Sequence, residues 1–227
     1  LFLLISSLSY GQKLKFKVKN QKDTTVHLIK YFGTKKFYAD TAEMQNGVVE
    51  FDGSKQASGI LGLLMPGQRY FEFIYNNEDI ELETEGPDYA GNLIVKKSKE
   101  NNVFIPYIRF IGSQKSKMGK LGQERASLSK TDSKYDALTE EIKSINAGVQ
   151  AYQENIVSEN DGMLVAKIVK MSMEVEIPEA PVDEKGVIID SNFRFLFYRN
   201  HYWDNVDLND DALVNNPIFH NKLEYFF

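Results

Sequence analysis

The sequence predicts an α+β protein: an N-terminal antiparallel β-sandwich over residues 12–97, followed by a helical domain with a long helical hairpin over residues 98–227. Three observations predict it. Short apolar–polar alternations separated by turn residues fill the sandwich region, and no long helical period interrupts them. Near Ser98 the apolar period changes from that of a strand to that of a helix. Beyond it Tyr135, Leu138, Ile142, Ile145, Val149, Tyr152 and Ile156 advance in alternating steps of three and four, the seam of a helix that packs along its length.

Each element has its own justification. Leu1-Phe2-Leu3-Leu4-Ile5-Ser6-Ser7-Leu8 is a short apolar run, and Ser9-Tyr10-Gly11 carries small residues at the two positions a signal peptidase reads. Residues 1–11 therefore read as the remnant of a signal peptide cleaved after Gly11. The run is too short to span a bilayer as a helix and lacks the alternation of a buried strand. The expectation is export to the periplasm or cell envelope. Leu14, Phe16 and Val18 alternate with Lys13, Lys15, Lys17 and Lys19, which read as the solvated face of an edge strand. Val26 and Leu28 alternate with Thr25, His27 and Ile29, and Asn46-Gly47 is a hairpin signal before Val48-Val49-Glu50-Phe51. Pro66-Gly67 and Asn76-Asn77 bracket the strand Tyr70 to Tyr75, and Ile80 and Leu82 alternate with Asp79, Glu81 and Glu83.

Ser98 is a helix cap ahead of Val103, Phe104, Tyr107, Ile108 and Ile111. The stretch from Gly112 to Gly122, rich in Gly, Ser and Lys, reads as a flexible connection to the long helix. Asn160-Asp161-Gly162 ends that helix, and Met163 to Met173 forms the second arm of the hairpin. Pro178 and Pro181 impose an extended tie. Asp190-Ser191 caps an aromatic helix, Phe193 to Tyr198, and Asn216-Pro217 opens a last helix that runs to the end of the chain. The helical domain therefore reads as truncated at its C-terminus.

Composition narrows the function classes. Lys plus Arg total 27 against 32 for Asp plus Glu, and the net charge of −5 argues against a nucleic-acid binder. With no cysteine there is no thiol nucleophile, disulfide or cysteine-bound zinc in these residues. Phosphate-loop, dinucleotide and nucleophile-elbow motifs are absent; Ser58-Gly59-Ile60-Leu61-Gly62 lacks the lysine a phosphate loop needs. His27, His201 and His220 show no metal-ligand spacing. Asp207, Asn209 and Asp211 match the opening ligands of a calcium loop, but Ala212 and Ile218 stand where Gly and Glu are required. Asp210 or Asp211 reads instead as a cap for a short helix. No metal, cofactor or catalytic residue is expected. No other apolar run reaches transmembrane length.

The densest phrase is Tyr198-Arg199-Asn200-His201-Tyr202-Trp203-Asp204. Trp and Tyr dominate binding hot spots, so His201, Tyr202, Trp203 and Asp204, with His220, form a candidate interaction patch. The favoured reading places the same aromatics in the core between helices, their polar tips bonded locally.

Several phrases carry a resemblance. Lys36-Phe37-Tyr38-Ala39-Asp40-Thr41-Ala42, Asn46-Gly47-Val48-Val49-Glu50-Phe51-Asp52-Gly53 and Pro66-Gly67-Gln68-Arg69-Tyr70-Phe71-Glu72-Phe73 are among them, as is Val95-Lys96-Lys97-Ser98-Lys99-Glu100-Asn101. They resemble an uncharacterised β-rich domain found ahead of thioredoxin-like modules in secreted proteins of Gram-negative bacteria. Glu176-Ile177-Pro178-Glu179-Ala180-Pro181, His201-Tyr202-Trp203-Asp204-Asn205 and Pro217-Ile218-Phe219-His220-Asn221-Lys222-Leu223 are similar to the helical domain that follows it. The resemblance implies a downstream thioredoxin-like domain in the same chain, with a Trp-Cys-x-x-Cys motif or a close relative, and protein clients. None of that motif lies in these residues, so no catalytic role transfers to them. The expectation is a non-catalytic scaffold or client-binding region of a thiol:disulfide oxidoreductase. The alternative is a stand-alone envelope module binding a peptide or glycan. A hydrolase would need a defined carboxylate pair, and 32 acids single out none.

Overall fold

The computed structural model describes residues 11–227; the signal-peptide reading falls almost wholly outside them. Eight strands come first: β1 (Lys13–Lys19), β2 (Thr24–Phe32), β3 (Lys35–Met44), β4 (Val48–Asp52), β5 (Gly59–Met65), β6 (Arg69–Tyr75), β7 (Ile80–Glu85) and β8 (Ile94–Lys97). Five α-helices follow: α1 (Lys99–Ala126), α2 (Ser133–Glu159), α3 (Leu164–Ser172), α4 (Phe193–His201) and α5 (Pro217–Phe226). The α+β class holds. The chain divides into two compact units, one ending at Ser113 and completed by Val214–Phe227, the other Gln114–Leu213.

In the first unit the strands form two four-stranded sheets, ordered β4-β1-β7-β8 and β3-β2-β5-β6. Pairings are antiparallel except β1 with β7, which is parallel. Alternation puts Leu14, Phe16 and Val18 inward, and the Phe16 ring meets Phe71 and Phe73 of the other sheet at centroid distances of 6.0 and 5.1 Å. Leu28, Leu63, Ile80 and Leu82 fill the same core.

The lysine stripe is solvated as expected, but its strand is not an edge: β1 lies between β4 and β7. The reason is charge complementarity across strands. Parallel register sets Lys15, Lys17 and Lys19 beside Glu81, Glu83 and Glu85, and Lys13 reaches Glu50 at 3.3 Å on the other side. Lys19 Nζ sits 2.6 Å from Glu83 and Lys15 Nζ 3.4 Å from Glu81.

Asn46-Gly47 makes the expected two-residue turn, both residues at positive φ (52° and 74°). It does not join neighbours in one sheet: it carries the chain from β3 in one sheet to β4 in the other. A side chain on Gly47 would overlap the Val18 carbonyl.

Ser98 caps α1 as expected, its Oγ accepting from Asn101 N at 2.9 Å. Glu78 adds a second cap, its carboxylate accepting from Lys99 N (2.8 Å), Glu100 N (3.1 Å) and the Ser98 hydroxyl (2.5 Å). A negative charge there meets the positive end of the helix. Asn101, fully buried, accepts from Ile74 N (2.8 Å) and donates to Ile74 O (2.7 Å), occupying the outer edge of β6 as a neighbouring strand would.

The stretch from Gly112 to Gly122 is not a flexible connection; α1 runs through it to Ala126. Three glycines cost helix stability, but residues between and beyond them are good helix formers. In the second unit this part of α1 also pairs with α2 along its length. Lys117 bridges to Glu141 (2.9 Å), Glu124 to Lys134 (2.5 Å), and Arg125 lies over the Tyr135 ring. The predicted seam of α2 turns inward, with Leu138 and Ile156 buried and the other members half-buried. α3 supplies Leu164, Val165, Ile168, Val169 and Met171 to the same core, the second arm of the expected hairpin. The proline tie is free of helix. Asp190 takes Asn192 N and Phe193 N ahead of α4, and Asn216 caps α5 through Ile218 N at 2.8 Å.

Candidate functional site

The phrase from Phe193 to Asp204 places its side chains by helical spacing. Phe193, Phe197 and His201 recur every fourth residue of α4 and form one column, Phe197 stacked on His201 at 4.1 Å and Phe193 tilted against Phe197 at 5.8 Å. The chain leaves the helix at Tyr202, and Asp204 returns its carboxylate to His201 Nδ1 at 2.6 Å. That bond fixes the imidazole plane against the Phe197 ring. Tyr202 points the other way and is buried, its ring edge-on to Tyr198 and Trp203 at 5.4 and 5.0 Å. The phrase therefore divides: Tyr202 belongs to the core, His201 and Asp204 reach solvent, and Trp203 is half-buried between them.

His201, Asp204, Asn205 and Phe197 form one wall of a groove of about 350 Å³. Gln150 and Glu154 of α2 and Met173 to Glu176, just past α3, form the remainder. Gln150 donates to Glu154 at 3.0 Å and also to Glu176. Glu154, Glu174, Glu176 and Asp204 line the groove, and no lysine or arginine does. Phe197, Met173 and Val175 supply its apolar surface. The arrangement suits an extended segment with an apolar residue and a basic neighbour, since carboxylates are strong acceptors for ammonium and guanidinium groups.

A second groove of about 370 Å³ shares Asp204 and Asn205 and has a different character. Lys167 of α3 reaches across it to Asp210 (2.6 Å) and Asp207 (3.1 Å). Asp210 first, then Asp207, hold the Lys167 ammonium above its ordinary range; Lys167 holds the Asp207 carboxyl below its own. Of its acids, Asp207 is thus committed to an internal ion pair and Asp204 to His201. Asp210 also accepts from Ala212 N at 3.0 Å, the short-helix cap the sequence indicated in place of a calcium loop.

His220 lies in the other unit, on α5, where Nε2 donates to the Val214 carbonyl at 3.1 Å, a bond that ties the helix to the chain before it. His27, on β2, bonds Thr41 at 2.9 Å. Among the described residues no three His, Cys, Asp or Glu side chains are placed to hold a metal ion, and no helix is long and apolar enough to cross a membrane. The residues that sequence reasoning missed are Phe197, Gln150, Glu154 and Met173 to Glu176. The i, i+4 spacing of Phe193, Phe197 and His201 was a readable signal for the column; nothing local links it to α2.

A family described as a domain of unknown function, DUF4369, matches residues 13–104, the eight strands and the start of α1. No curated protein and no solved structure matches the chain.

Proposed function

We propose that this chain is the non-catalytic, client-binding region of a secreted thioredoxin-like thiol:disulfide oxidoreductase of the periplasm or cell envelope. The match of residues 13–104 to a domain of unknown function supports the β-rich half of the resemblance; the redox partner rests on the resemblance itself. The observation that carries the binding role is the groove against His201 and Asp204. Its four carboxylates, with no lysine or arginine in the lining, stand beside the half-buried apolar side chains of Met173, Val175 and Phe197. A client segment held there would be presented to the downstream thiolate at high effective concentration. That thiolate attacks one sulfur of the client disulfide, the other leaves as a thiolate, and a mixed disulfide forms. Nothing in that step requires a reacting group from residues 12–227.

The test compares the full-length protein with a form lacking residues 12–227. Reduction of a protein disulfide should slow by about tenfold or more on deletion, since tethering acts through effective concentration. Reduction of a small aromatic disulfide should not change. Equal rates on protein clients would sink the proposal.

The second reading, a stand-alone module for a peptide or glycan, is favoured by the aromatic column that ends at His201, with half-buried Trp203 two residues further along the chain. It requires ligand binding that disappears in Trp203→Ala while the fold is kept, in a protein with no redox module.

A further inference from the structure

On the β2–β3 hairpin, we propose, the chain carries a docking element for an anionic phospholipid surface. The hairpin turns at Gly33-Thr34, with Gly33 at φ 65° and Phe32 paired with Lys35. The side of β2 that buries Val26 and Leu28 continues, by strict alternation, to Lys30 and Phe32. In the partner strand a bulge at Ala39, opposite Leu28 and Ile29, shifts the register and brings Phe37 and Lys35 to that same side. Cross-strand partners are Lys30 with Phe37 and Phe32 with Lys35. The face that is core at one end of the hairpin is therefore, at the other, a two-by-two array of phenylalanine and lysine. Phe32 is 74% and Phe37 46% exposed, with their rings 6.3 Å apart, edge to face.

The charges differ from those of β1. Every lysine of β1 has a carboxylate within 4 Å-class ion-pair range on β4 or β7. Lys30 and Lys35 are exposed and, among the described residues, form no ion pair, in a chain whose net charge is −5. Unpaired cations set directly across from exposed rings match the two layers of a lipid interface. Rings enter the headgroup boundary, and the lysine stems run alongside them and carry the ammonium groups out to the phosphates. An open hairpin end offers a ridge, where a small ligand needs a concavity. The proposal is independent of the groove in the other unit.

The experiment is co-sedimentation of the 227-residue chain with mixed phosphatidylglycerol–phosphatidylcholine vesicles and with pure phosphatidylcholine vesicles at low salt. All variants share the same N-terminus, so differences between them report the hairpin. Wild type should pellet with the anionic vesicles and much less with the neutral ones. Lys30→Ala with Lys35→Ala should weaken partitioning about fivefold per lysine. Phe32→Ala with Phe37→Ala should weaken it about tenfold or more. Lys13→Ala, which removes a paired lysine, should bind as wild type. Melting curves establish that each variant is folded; the lysine pair keeps the test intact should the phenylalanine pair unfold. The proposal is overturned by equal pelleting with neutral vesicles, by binding unchanged in the lysine pair, or by equal loss in Lys13→Ala. Retention of a single-stranded oligonucleotide without vesicle binding also overturns it, and assigns the array to nucleic acid.

Discussion

Asn101 has no exposed surface and spends its amide on backbone: Oδ1 takes the Ile74 N–H, and Nδ2 gives to the Ile74 carbonyl and to Ser98 Oγ. Ile74 is itself fully buried, so no water waits to replace those bonds. Asn101→Ala leaves a buried donor and a buried acceptor unmet, each costing about 1–3 kcal/mol. The variant should lose about 2–4 kcal/mol in urea unfolding with an unchanged slope, and a loss under about 0.5 kcal/mol would show the pairing to be ornamental. Glu78 serves the same helix start from the solvent side, where water can substitute for it. Glu78→Gln should therefore cost less than Asn101→Ala.

The helices show where local chemistry and packing disagree. Gly112, Gly119 and Gly122 in α1 and Gly148 in α2 sit in helical backbone, and a Cβ at any of them would meet no atom within 4 Å. Glycine there only enlarges the unfolded ensemble. Gly119→Ala, Gly122→Ala and Gly148→Ala should each stabilise by about 0.4–1 kcal/mol, together raising the melting temperature by several degrees in a calorimetric scan. A fall in melting temperature would mean that the glycines have a role that static packing misses. The same residues explain one misreading. Glycine content between 112 and 122 signals a loop, whereas the α2 partners that keep it helical, Lys134, Tyr135 and Glu141, lie beyond the next turn. The seam of α2 was legible because one helix face repeats within its own sequence. The lysine stripe of β1 was legible as a solvated face but not as a central strand, since the acids beside Lys15, Lys17 and Lys19 lie 66 residues on, in a parallel strand. The groove at His201 was half legible for the same reason. Its own wall is one contiguous phrase, and its other wall comes from α2 and the segment after α3.

At the scale of the whole molecule, the ion pairs set a pH dependence whose sign follows from the direction of each shift. Lys19 holds the Glu83 carboxyl below its ordinary range, Lys97 and the Lys13 N–H do so for Asp79, and Ser54 for Asp52. Lys167 does the same for Asp207 in the second unit. A carboxyl depressed in the folded state contributes stability that is complete above its unfolded value, about 4, and is lost as pH falls through the folded value. Lys19, Lys97, Lys134 and Lys167 are raised, each chiefly by the hydrogen bond to its carboxylate. Their contribution is complete below about pH 10 and is lost as pH rises through the folded value. Melting temperature should thus be flat between roughly pH 5 and 9 and fall on both sides. These groups are largely exposed, so screening keeps each contribution small, and added salt should reduce the acid-side fall. Glu83→Gln removes the Lys19–Glu83 share in the sandwich and Asp207→Asn the Lys167–Asp207 share in the second unit. Each should flatten the acid limb without moving the other's share, and an acid limb identical to wild type in both variants would place the titrating groups elsewhere.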